Sequence, residues 1–160
     1  MRATQAEIEK ALAALVATPH ALERAVTGLD EDELHSRPDQ KTWSIADNLA
    51  HLRACADVWT FSIYAMLAEN NPTLPDFNER KWVKATGYAA LPFDKSMRAF
   101  VTQREELFRV LNGLPLEKWE RGAQINGRGH TVFTQARRLT KHEAAHLEQI
   151  RLGAARFKRK

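Results

Sequence analysis

One cysteine, Cys55, is all the thiol that this chain of 160 residues carries, so no disulfide can form within it. A reducing compartment, the cytoplasm, is the expectation that follows. No apolar run is long enough to span a bilayer, and the opening segment Met1-Arg2-Ala3-Thr4-Gln5-Ala6-Glu7 lacks the features of a secretory signal. Repeats, low-complexity tracts and interdomain linkers are missing, and the chain reads as one domain over residues 1–160. Glycine is sparse, and Asn126-Gly127-Arg128-Gly129 is a turn and not a phosphate-cradling loop. Neither a Ser-His-Asp set nor paired carboxylates stand out, and without paired Glu-x-x-His motifs a di-iron bundle is disfavoured. Excess charge is small at +4, much of it in the tail Arg156-Phe157-Lys158-Arg159-Lys160. That tail reads as a solvated basic helix end that complements the helix dipole, and nucleic acid is not the expected partner.

What is present is helical periodicity. Thr4-Gln5-Ala6-Glu7 is a capping-box pattern, followed by a stripe of Ile8, Leu12, Leu15, Leu22, Val26 and Leu29. Pro19 falls inside it and predicts a kink or a division. A polar connection is expected from Leu29 to Thr42. Ser44-Ile45-Ala46-Asp47 then caps a second helix carrying Ile45, Leu49, Leu52, Ala56, Trp59, Ile63 and Met66. Asn71-Pro72-Thr73-Leu74-Pro75-Asp76 ends it, and a long connection runs to Leu91-Pro92 with a short helix near Asn78 to Lys84. Met97, Phe100, Arg104, Leu107, Phe108 and Leu111 form a third helix, stopped by Asn112-Gly113 and Pro115. Asn126-Gly127 predicts a small hairpin. Thr131 caps the last helix, which extends to about Phe157. No segment alternates long enough to build a sheet, and the fold class is all-α, a four-helix bundle with a long crossover connection.

On the last helix lies His142-Glu143-Ala144-Ala145-His146. Imidazoles four residues apart share a helix face and can reach one ion. They fall in line with Leu139, Ile150 and Gly153, where a neutral ring needs a partner for its nitrogens. The same string is the zinc-protease signature, but that chemistry needs a third ligand downstream. Gln149 and Leu152 stand where a metzincin would continue with glycine and histidine, and no later helix within the 160 residues supplies a glutamate. The third ligand is therefore sought upstream, and His51, at the rim of the second helix's stripe, is the best candidate. Three imidazoles leave a coordination position open, which is the catalytic arrangement.

Two segments carry a family resemblance. Trp43-Ser44-Ile45-Ala46-Asp47-Asn48-Leu49-Ala50-His51-Leu52 resembles the second-helix motif of the DinB/YfiT-like superfamily, and His142-Glu143-Ala144-Ala145-His146-Leu147-Glu148-Gln149-Ile150 its last-helix motif. The order of elements matches over nearly the whole chain. The resemblance implies an up-down-down-up bundle, a homodimer, and a three-histidine divalent site carried here by His51, His142 and His146. Characterised members include low-molecular-weight thiol S-transferases and a mycothiol-dependent isomerase.

The functional expectation is a divalent-metal-dependent enzyme, zinc or nickel being the ion, acting on a small molecule as a hydrolase or as a thiol S-transferase with a low-molecular-weight thiol as cosubstrate. Its alternative is a non-catalytic metal- or ligand-binding bundle, a stress-related interaction protein. Glu143 is the candidate general base, set against a solvated or histidine-supporting role. Cys55 is read as buried and inert, Gln149 as a pocket-lining or packing amide, and His130 as a loop histidine that could face the site mouth. Of the tryptophans, Trp43, Trp59 and Trp119 are read as packing anchors and Trp82 as a wall or lid residue in the crossover. Arg137, Arg138 and Lys141 read as a solvated face.

Overall fold

Capping boxes set the starts of three of the four long helices, as the sequence predicts. The computed structural model describes residues 3–158. Thr4 and Glu7 open α1 (Gln5–Val26), Ser44 and Asp47 open α3 (Ile45–Ala68), and Thr131 and Thr134 open α6 (Val132–Ala155). Pro19 does not divide α1, which runs unbroken through it. Within the supposed polar connection Asp30 and Glu33 form a further capping box, which starts the five-residue helix α2 (Glu31–His35). The fourth long helix, α5 (Phe93–Asn112), begins at Pro92, which offers no side-chain cap. Its free Phe93 amide instead donates to the Glu31 carboxylate of α2, at 3.0 Å.

The directions of the long helices follow from their cross-contacts. Trp59 meets Arg138 near one end of the α3–α6 pair and Ile45 meets Gly153 near the other, so these two are antiparallel. Arg53 bonds Ser96 and Asp57 bonds Gln103, so α3 and α5 run the same way. Ala3 pairs with Glu120 below α6, and Ala25 with Lys158 above it, so α1 and α6 are parallel. The topology is up-down-down-up. Because α3 and α5 are parallel, residues 69–92 must travel back along the bundle, a distance of about 36 Å for a 24-residue helix.

Polar anchors hold that crossover in place. Its helix α4 (Glu79–Thr86) buries no residue fully. Instead Trp82 Nε1 and Tyr88 Oη donate to Asp57 Oδ2, at 3.0 and 2.8 Å, while Gln103 donates to Oδ1. The Arg53 guanidinium lies over the Tyr88 ring, 3.9 Å from its centroid.

A small sheet closes one end, which the sequence reading excluded. The hairpin expected at Asn126-Gly127 is present as β2 (Gly122–Ile125) and β3 (Arg128–Thr131). Asn126 and Gly127 take φ values of 50° and 70°, the left-handed pair that a two-residue turn requires. The unexpected strand is β1 (Thr73–Leu74), parallel to β2, giving the order β1-β2-β3. Two residues are too short to show alternation.

Helix α3 is the centre of the molecule. From Ile45 to Ala56 every residue but Asp47 is buried, because α6, α5 and the crossover enclose it. Two apolar clusters fill the bundle, one around Leu15, Ile63, Leu107 and Leu139, the other around Leu22, Leu52, Phe100 and Ile150. Gly153 allows α6 to close on the start of α3, since a Cβ there would meet Ile45 Cγ1 at 3.2 Å. None of the described helices is long and apolar enough to cross a membrane.

Candidate metal centre

The antiparallel pairing of α3 and α6 brings His51, His142 and His146 together, as the sequence predicts. His142 Nε2 lies 3.2 Å from Nε2 of both other rings. A tetrahedral ion with bonds of about 2.0–2.1 Å spaces its nitrogen ligands about 3.3 Å apart, so the cluster has the size of a metal site. The donor set fits as well. His146 Nδ1 lies 2.9 Å from Asn48 Oδ1, an oxygen that only accepts, so Nδ1 carries the proton and Nε2 turns its lone pair inward. The Asn48 amide is itself held by a bond from Nδ2 to Ser44 O at 2.9 Å. Hydrogen bonding alone cannot satisfy three converging Nε2 atoms, because a single ring proton cannot serve both short contacts of His142. A cation satisfies all three.

Burial keeps the rings neutral. It pulls the His51 imidazole down to about 4, with His146 and Arg80 adding to the effect. His142 is lowered to about 4 by burial and by its two neighbours, partly offset by Glu79. His146 is lowered by burial, against a pull from Gln149. His51 is more enclosed than its expected rim position allows, at 9% exposure, because the first half of α3 is covered on every side.

Aromatic rings and a cavity surround the cluster. Trp43 packs on His51 and His146 with centroids 5.1 and 5.9 Å away, and Trp59 meets His142 edge-on at 5.0 Å. These two tryptophans, expected to be packing anchors, are walls of the site. A cavity of about 940 Å³ opens over the cluster, within the usual size for a small-molecule pocket. Asn48, Glu79, Arg80, Arg138, Gln149 and the loop around Thr42 line it with the histidines and tryptophans.

Several expectations about single residues change. Glu143 is neither solvated nor among the cavity residues. It is 2% exposed in the bundle core, with Oε1 3.2 Å from Nε of the equally buried Arg104. One step along a helix turns a side chain by about 100°, which takes Glu143 to the core face while His142 faces the cavity. Burial pushes its carboxyl up to about 7 against the pull of Arg104. Trp82 is tied to Asp57 and lies outside the cavity lining. His130 sits on β3 beside a separate cavity near Asn71 and Arg121. Arg137, Arg138 and Lys141 are exposed, as expected, but Arg138 also lines the site, and Gln149 lines it as expected. Cys55 is buried, its thiol pushed well up by burial and by the nearby Glu79 and Glu143 carboxylates, although Sγ lies 3.5 Å from His51 Nε2. His20 and His35 remain peripheral, beside Glu23 and Glu31. In the basic tail, Arg156 lines the cavity and Lys158 donates to Ala25 O at the end of α1, at 2.9 Å; Arg159 and Lys160 lie outside the described residues. Sequence reasoning missed Glu79 and Arg80 as cavity residues, because α4 carries no buried stripe to orient it.

The chain resembles proteins whose names assign them provisionally to the metal-dependent hydrolases. Two come from Geobacillus thermodenitrificans (strain NG80-2) and Geobacillus kaustophilus (strain HTA426), each 26% identical over 91 residues. That match covers 57% of this chain and spans 51%, about half, of each relative's length. A third, from Bacillus cereus (strain G9842), is 24% identical over 137 residues, covering 83% of this chain and 79% of its own. In three dimensions the chain superposes on YfiT from Bacillus subtilis, described as a probable metal-dependent hydrolase with an unusual four-helix bundle topology. The TM-score is 0.82 at 16% identity, with 98% of this chain and 90% of YfiT covered, so the fold is shared. The DinB superfamily model matches residues 14–150, and the chain belongs to the DinB superfamily.

Proposed function

We propose that His51, His142 and His146 bind one divalent ion, zinc or nickel, and that the protein is a metal-dependent hydrolase of a small molecule admitted by the cavity. The observation that carries this reading is the convergence of three neutral Nε2 atoms, 3.2 Å apart at the two closest contacts, beside an open cavity. A divalent ion held there would polarise a carbonyl or phosphoryl group and acidify a water molecule beside it. The chain's own residues supply the remainder. Asn48 fixes the tautomer of His146, and the tryptophans exclude bulk water from two sides. Glu79 is the one carboxylate among the cavity residues; its Oε1 accepts Trp59 Nε1 at 3.2 Å and keeps lone pairs free. We assign it the proton of the attacking water, a role that the position of Glu143 denies to that residue.

Thiol transfer would use the same open position with a low-molecular-weight thiol in place of water; the names of the relatives favour water. Residues 1–160 are read as one domain, its single buried thiol suits a reducing cytoplasm, and homodimerisation is open to sedimentation analysis.

Elemental analysis of the purified protein, followed by hydrolysis assays on panels of esters and amides, tests the reading. Near-stoichiometric metal is expected in the parent and none in His142→Ala/His146→Ala. Glu79→Gln should keep its metal yet lose turnover by about 10²-fold or more. A parent protein that takes up neither zinc nor nickel when both are supplied overturns the proposal.

A further inference from the structure

The cavity has a strong sign. Lys41, Arg80, Arg138 and Arg156 line it against the single carboxylate of Glu79. Elsewhere arginines are commonly neutralised, as in the pairs Arg37–Asp47, Arg98–Asp94, Arg109–Glu106 and Arg151–Glu148. Among the described residues Arg80 and Arg138 form no such pair. Each lies instead on one of the indoles that flank the imidazoles. The Arg138 guanidinium is 4.4 Å from the Trp59 ring centroid, and that of Arg80 is 5.4 Å from the Trp43 centroid. Neither guanidinium donates a hydrogen bond to another described residue, so the fork of N–H donors with which arginine reads a carboxylate or phosphate stays available.

The positions are built by separate elements. Arg138 is one helical turn before His142 on α6, so it shares the face of that ligand. Arg80 arrives from the crossover, through an α4 that Trp82 pins to Asp57. Two cations from different elements thus flank one cluster of uncharged imidazoles, and Lys41 and Arg156 extend the positive field along the lining.

We infer that the cavity takes an oxyanionic small molecule, its charged end held by Arg80 and Arg138 and its reacting group presented to the three imidazoles. What becomes of the ligand rests on the hydrolase reading; that it binds does not. A carboxylate and a phosphate share the required chemistry.

Isothermal titration with tricarballylate, inorganic phosphate and the uncharged triamide of tricarballylic acid tests this, on chelator-treated and on zinc-loaded protein. Tricarballylate or phosphate should bind both forms, weaken as salt is raised, and outcompete the triamide. Arg80→Gln/Arg138→Gln should weaken that binding at least tenfold while zinc uptake and helical content stay at parent levels. Arg98→Gln/Arg151→Gln, which removes the same charge from the outer surface, should leave it within twofold. Tighter binding of phosphate than of tricarballylate would assign the pocket to phosphorylated ligands, and the reverse order to carboxylates. Anion affinity within twofold of the parent in the Arg80/Arg138 variant overturns the inference, as does equal binding of the triamide, even where zinc binds normally. Arginine-dependent anion binding in a protein that takes up no metal would leave this inference standing and remove the hydrolase reading alone.

Discussion

Arg104 and Glu143 form a charge pair at the heart of the bundle, and the two halves of that pair should behave unequally when removed. Arg104 is 1% exposed, and none of its three side-chain nitrogens has a well-aligned hydrogen bond; the Glu143 oxygen at 3.2 Å is its charge partner. In Glu143→Leu the guanidinium keeps its charge, since arginine does not lose its proton in proteins. At about pH 8, where the Glu143 carboxyl is ionised in the parent, a buried charge left uncompensated in this way costs about 3–5 kcal/mol. For a chain of this length that is a fall in Tm of roughly 10 °C. In Arg104→Met the remaining group can escape by taking a proton, because burial has already raised the Glu143 carboxyl to about 7. Near pH 6 the cost should be that of one imperfectly bonded neutral acid, about 1–2 kcal/mol. It should then grow with pH, because the raised folded-state value favours the protonated form and every further unit adds about 1.4 kcal/mol. The double variant Arg104→Met/Glu143→Leu removes both charges and should recover most of the loss.

Urea unfolding of the metal-free proteins, run at about pH 6 and about pH 8, measures all of this, provided the denaturant slopes agree. A Glu143→Leu cost below about 1 kcal/mol at about pH 8 refutes the reasoning. So does a double variant whose cost is the sum of the singles.

Acid should weaken the metal-free protein through the histidine cluster. His51 and His142 titrate near 4 in the fold against about 6.5 unfolded, so their contribution is complete above pH 6.5 and is lost as pH falls towards 4. Allowing for the open cavity the loss is about 1–3 kcal/mol, and a stability profile as steep in His51→Ala/His142→Ala as in the parent would show that its source lies elsewhere. Asn48→Ala frees the His146 ring, and zinc affinity by chelator competition should fall about 10–100-fold; unchanged affinity would deny Asn48 its orienting role. Gly127→Ala forces a side chain onto φ +70°, and thermal melting should report a loss of about 1–2 kcal/mol, whereas a neutral result would mean that the hairpin turn can change type. Phe100→Ala empties a fully buried position and should cost about 3–5 kcal/mol by urea unfolding; a cost below about 1 kcal/mol would mean that the bundle collapses around the gap.

Features written in neighbouring residues were legible beforehand. The stripes at three-four spacing, the caps at Thr4, Ser44 and Thr131 and the Asn126-Gly127 turn each need only a short window of sequence. The Asp30–Glu33 box that starts α2 carries the same signal, with no apolar stripe behind it to mark a helix. Features that depend on partners far along the chain were not legible. Strand β1 exists because Thr73 and Leu74 meet Gln124 and Ile125. Helix α4 docks through Trp82, which packs beside the apolar core and donates to Asp57, so nothing in its own pattern places Glu79 and Arg80 in the cavity. Trp43 and Trp59 gain their meaning only from the imidazoles and arginines packed against them.

The string His142-Glu143-Ala144-Ala145-His146 shows how a local pattern acquires its chemistry from the fold around it. In a zinc protease the glutamate between the histidines must reach the water that attacks the substrate. Here the helix carrying the string has two working faces. One runs through Arg138, His142, Gly153 and Arg156 and looks into the cavity; the other runs through Leu139, Glu143, Ile150 and Ala154 and is buried in the bundle. His146 lies where the two meet, buried yet reaching the cluster. The bundle has neighbours for both faces, and Arg104 on α5 waits on the inner one, so the glutamate is drawn into an internal charge pair. The cavity's carboxylate is left to come from the crossover, as Glu79. The two histidines therefore converge with His51 as their spacing suggests, while the residue between them becomes part of the core that holds their helix in place.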